Sequence, residues 1–85
     1  MYAMKEVSYS RVLQARAEVS RQAASLSKEG YLKVGTLDFG GAYSVVMRHR
    51  ANGNRIIITQ HDNYCDLKKN GKLIKQIVLW YDVLI

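Results

Sequence analysis

The chain has 85 residues, 48% of them hydrophobic and 24% charged, a composition that excludes a disordered chain and leaves room for one small core. Thirteen Lys and Arg against seven Asp and Glu give a net charge of +6, which favours anionic partners; the plainer reading is surplus lysine for solubility. The single cysteine, Cys65, excludes an internal disulfide, and the longest apolar run, Ile77 to Ile85, is about half a bilayer span and contains Asp82. The expectation is one small domain over 1–85 in the cytoplasm, with no membrane span and no leader.

In chain order, Val12, Ala15, Val19, Ala23 and Leu26 recur at spacings of three and four and predict one amphipathic helix over about 9–29. Ser10 is placed to cap its start, Lys28 to sit in its last turn, and Gly30 to supply the left-handed residue beyond its end. Gln14, Glu18, Arg21, Gln22 and Ser25 line the opposite, solvated side. Arg16 falls at the edge of the apolar sector; the expectation is a stem laid on the core margin with its head in water.

After Gly30 the period changes to two, with β-branched and aromatic residues broken by short turn signals. Strands are expected at about 31–39, 42–50, 55–61, 64–69 and 72–82, joined through Gly40-Gly41, Asn52-Gly53, Asp62-Asn63 and Asn70-Gly71. Successive hairpins make a four- to five-stranded antiparallel β-meander over about 31–82. The fold class is therefore α+β, with the N-terminal helix packed on one face of the sheet.

Asn52-Gly53 is the strongest hairpin signal, and either a two-residue turn there or a loop of Ala51 to Asn54 pairs Arg50 with Arg55. Alternation then places Arg48, Arg50 and Arg55 on one face with Val46, Ile57 and Thr59, and Val45, Met47, His49, Ile56 and Ile58 on the other. Like charges directly opposite are destabilising, so that face points to an anionic ligand. Lys33, Lys68, Lys69 and Lys72 add positive field. Asn70-Gly71 pairs Lys69 with Lys72 and, further along, Asp66 with Lys75, although lysines at tips also serve to block unwanted strand pairing. The C-terminal run lacks the alternation of a strand with one wet face, so Ile77, Leu79, Trp80 and Tyr81 form a candidate partner surface, with a homodimer through this strand one way to cover it.

Motifs for chemistry are sparse. No phosphate-binding loop is present, carboxylates are dispersed, and His61 with Cys65 is a weak nucleophile or metal signal. His49 and His61 are expected on opposite faces, so no enzyme, cofactor or metal function is expected. Tyr43, Tyr64 and Trp80 could stack on bases, though strand tyrosines are usually packing residues. The expected function is a small non-enzymatic binding protein that contacts nucleic acid or another polyanion through Arg48, Arg50, Arg55 and the neighbouring lysines. The alternative is a protein-interaction module, an inhibitor or adaptor of the kind phages and mobile elements often encode, docking on an acidic protein surface through its apolar C-terminal strand.

Overall fold

In a computed structural model of the chain, residues 2–39, 42–61 and 64–79 are described, with side chains described for 13–38, 43–61 and 64–79. Helix α1 (Tyr2–Lys28) precedes strands β1 (Tyr31–Phe39), β2 (Ala42–His49), β3 (Arg55–Gln60), β4 (Tyr64–Lys69) and β5 (Lys72–Val78). The strands form one antiparallel sheet in the order β1-β2-β3-β4-β5, so the expected α+β meander is the architecture found.

The helix begins earlier than its periodicity implies. Its backbone is helical from Tyr2, which leaves Ser10 inside the helix and not at its cap. Tyr2 to Val7 contain neither glycine nor proline and are rich in good helix formers, so nothing in them stops the helix. Its end is as expected: Lys28 is in the last turn, and Gly30 adopts a φ of +99°.

Ala15, Val19 and Leu26 are buried on the helix, with Ala23 packed beside them, against Tyr31, Val45, Met47, Ile56, Ile58, Cys65 and Leu67 of the sheet. Ala15 and Cys65 are both small and fully buried, and the Cys65 thiol lies 3.7 Å from the Ala15 carbonyl oxygen. That close approach sets α1 over β1 to β4. Arg16 runs along the margin of this core, but its head does not end in water alone: it donates to Asp38 at 3.0 Å and lies 5.0 Å above the centre of the Tyr43 ring. Glu18 accepts from Gln22 and Arg21, which pull its carboxyl below its ordinary range.

Two registers differ from expectation. At the first hairpin Arg48, not Arg50, pairs with Arg55, because the connection is the loop Arg50 to Gly53, closed by His49 N donating to Asn54 O at 2.8 Å and Gly53 N to His49 O at 3.0 Å. A two-residue type I′ turn needs positive φ at both central residues, and here only Gly53, at +73°, has it. The Asn52 side chain instead accepts from Asn54 N at 2.9 Å, closing the loop another way. At the second hairpin Asn70 and Gly71 both have positive φ and Lys69 pairs with Lys72 as expected. Beyond Lys68 and Leu73 the β4–β5 register shifts, so Ile74 is the extra residue; Lys75 faces Leu67, and Asp66 faces Gln76. A matching irregularity lies at Val34 in β1. Both edge strands thus carry a bulge, which discourages pairing with another chain's strand.

Gly30 and Gly71 separate two costs of glycine replacement. A Cβ at Gly30 would sit 2.9 Å from His49 Nε2 in addition to the left-handed strain, whereas at Gly71 it would meet open space. Urea denaturation is expected to show Gly71→Ala losing about 1 kcal/mol and Gly30→Ala at least roughly twice that. Equal losses would mean that His49 yields freely.

Candidate basic sheet face

Helix α1 covers the sheet face of Val45, Met47, Ile56 and Ile58. The first hairpin's register is displaced by two residues, which preserves side-chain parity, so Arg48 and Arg55 stay on the opposite face. Among the described residues no second layer of secondary structure covers that face. From the hairpin end its first row is Leu32, Arg48 and Arg55, and the second is Gly35, Val46, Ile57, Lys68 and Leu73. The third is Leu37, Ser44, Thr59, Asp66 and Gln76, where Ser44 Oγ and Thr59 Oγ1 are hydrogen bonded at 3.1 Å.

The expected basic residues do not all share this face. Arg48, Arg55 and Lys68 lie on it, exposed, and Arg50 is in the adjoining loop. Lys33, opposite Met47, and Lys69 and Lys72, opposite Ile56 and Lys69 respectively, have the parity of the helix-covered side. The meander nevertheless brings all of them to one end of the sheet, where β1 and β3 begin, β2 and β4 end, and α1 finishes with Lys28. Glu29 is a carboxylate at that end. The ion pairs among the described residues are Arg16–Asp38, Arg21–Glu18 and His61–Asp66, so none of these end cations pairs with a described carboxylate.

A shallow depression of about 560 Å³ opens beside the first row, lined by Leu32, Val34, Arg48, His49, Arg50 and the loop to Gly53. His49, which the sequence placed only on the sheet face opposite Arg48 and Arg55, holds this corner together. Its Nδ1 accepts from Ala51 N at 3.1 Å and Asn52 N at 3.4 Å, so the proton sits on Nε2, which donates to Glu29 O at 3.0 Å. The ring stands edge-on to Tyr31, with centroids 4.8 Å apart, and Arg50 N donates to Gly30 O at 3.0 Å. The basic loop is thereby tied to the end of the helix. The signal for this was a histidine just before a glycine-containing loop, but its second partner lies twenty residues away in sequence.

The other candidates separate. Cys65 is buried under the helix, and burial first, then the carboxylates of Glu18 and Asp66, push its thiol up to about 11. His61 lies on the other side of the sheet, where Nε2 donates to Asp66 Oδ2 at 2.8 Å and the ring stacks on Tyr64 at 4.3 Å. The expected Asp66–Lys75 pair is therefore replaced by Asp66–His61. Among the described residues no three His, Cys, Asp or Glu side chains converge as a metal-ligand set. No helix described is long and apolar enough to cross a membrane. Tyr43 lies beneath Arg16, so neither it nor Tyr64 is a free stacking platform. Of the expected C-terminal partner surface, Ile77 and Leu79 pack against the chain's own core, while Trp80 and Tyr81 lie outside the described residues.

Two outcomes follow from this geometry. Replacing His49 by Phe keeps a ring against Tyr31 but removes both nitrogens, and hydrogen exchange at the Ala51 and Asn52 amides is expected to quicken at least tenfold relative to the sheet core; unchanged exchange would show that the histidine does not hold the loop. The Cys65 thiol, ordinarily near 9.0, stays protonated to about 11 in the folded chain. The unfolded chain releases that proton first, so this group's contribution to stability is full below pH 9 and is lost as pH rises through 11, by on the order of 2 kcal/mol. Cys65→Ala is expected to lose correspondingly less stability between pH 8 and 11, and iodoacetamide at pH 8 to label native Cys65 only after urea is added.

Comparison with protein-family models, with curated proteins and with solved structures found no match to this chain.

Proposed function

We propose that this protein is a non-enzymatic binding module that holds an anionic macromolecule on the open face of its sheet, through Arg48, Arg55 and Lys68 with Arg50 at the rim. The observation that carries this reading is the opposition of Arg48 to Arg55 on a face the helix leaves bare. Two arginines directly across a strand pair repel each other, and among the described residues no carboxylate offsets them. An incoming anion relieves that repulsion, and the planar forks of arginine match phosphate and carboxylate oxygens alike. Asp66, the carboxylate on the same face, lies in the third row and is hydrogen bonded to His61, so it pairs with neither arginine.

Retention of the purified protein on single-stranded and duplex oligonucleotides and on poly-glutamate, over a sodium chloride series, tests this. Binding is expected to at least one of them, weakening steeply with salt. The double variant Arg48→Thr/Arg55→Thr is expected to lose affinity about tenfold or more, with a shallower salt dependence, while its stability stays level or rises by about 0.5 kcal/mol. Undiminished binding by that variant would refute the assignment.

A further inference from the structure

The open face carries more than charge. Leu32, Val34, Leu37, Leu73 and Val78 are exposed there or at its edges, from 42% for Val78 to 57% for Val34, with half-buried Val46 and Ile57 between them. With the bulge residue Val34 beside Gly35, the second row therefore carries an aliphatic band from Val34 through Val46 and Ile57 to Leu73, interrupted by Lys68. Single exposed aliphatic residues are ordinary on a protein surface; a band crossing a whole sheet beside a row of guanidinium groups is not.

We propose that the partner of this face is an acidic protein surface, with carboxylates bordering aliphatic side chains. The inference rests on the anion-binding reading above and narrows its class. Phosphates and sugars would satisfy Arg48 and Arg55 but leave the aliphatic band against polar groups. Recognition of unpaired bases calls for free aromatic faces, and of the tyrosines whose side chains are described, Tyr31 is in the core, Tyr43 lies under Arg16 and Tyr64 has one face on His61. The depression at the first row has the mixed lining that a protein partner fills, with Leu32 and Val34 to receive an aliphatic side chain and Arg48 and Arg50 to pair with a carboxylate beside it. An apolar centre with arginine at its border is the ordinary make-up of a protein–protein interface. A second copy of this chain fits poorly, because it would bring another +6 and the same arginine row.

The probes are a synthetic helical peptide of about 20 residues with a leucine stripe bordered by glutamates, a scrambled peptide of the same composition, poly-glutamate and a duplex oligonucleotide. Each is titrated at about 0.15 M salt, where long-range attraction is screened. The striped peptide is expected to bind at least tenfold more tightly than the other three. Val34→Ser/Leu73→Ser, at two exposed positions on the edge strands, is expected to weaken it about tenfold without lowering the melting temperature, and Arg48→Thr/Arg55→Thr likewise. Poly-glutamate or duplex bound as tightly as the striped peptide, with Val34→Ser/Leu73→Ser silent, would overturn the acidic-protein assignment and leave the anionic-partner reading standing. Failure of all four probes to bind would overturn both.

Discussion

Everything else in this protein depends on the burial of one helix stripe, Ala15, Val19 and Leu26, against Val45, Met47, Ile56 and Ile58. Removing such side chains from water is the largest favourable term a chain of this size has, roughly 1.5–3 kcal/mol for each large aliphatic. Side chains of a sheet alternate strictly, so choosing that face for the helix also chooses what is left bare. The small pair Ala15 and Cys65 lets the helix sit close over β4, which is why a thiol in this chain is a packing residue and not a reagent.

The second constraint is the corner where α1 meets β1. Gly30 turns the chain out of the helix in a conformation costly for other residues, and His49 fills the space a Cβ would need. The histidine satisfies the Glu29 carbonyl, just past the helix end, with one nitrogen and two loop amides with the other, so groups that would otherwise depend on water are bonded within the chain. The same contact fixes where Arg50 stands relative to Arg48 and Arg55. A histidine at a folded corner thus acts as a brace, with its tautomer set by its neighbours.

The open face combines two features that a folded chain has little reason to keep for its own stability. Arg48 against Arg55 is repulsive, and the aliphatic band from Val34 to Leu73 is exposed to water. Both are relieved by a ligand that brings negative charge and apolar surface together. The bulges at Val34 and Ile74 on the two edge strands disfavour strand-to-strand addition.

The sequence by itself determined the order of elements, the strand limits to within a residue or so for β1 to β4, and the side of the sheet on which Arg48 and Arg55 lie. These follow from periodicity and from glycine at turns, which are local, and from parity, which survives a two-residue slip of register. Only the tertiary structure decided that the helix covers the Met47 face, that Arg48 rather than Arg50 meets Arg55, and that Asp66 turns to His61 instead of Lys75. It also divided the lysines, leaving Lys68 beside the arginines and placing Lys33, Lys69 and Lys72 on the other side, and it packed Ile77 and Leu79 against the core. Each of these turns on a contact between residues distant in the chain or on a bulge at a sheet edge, and neither leaves a mark on local spacing.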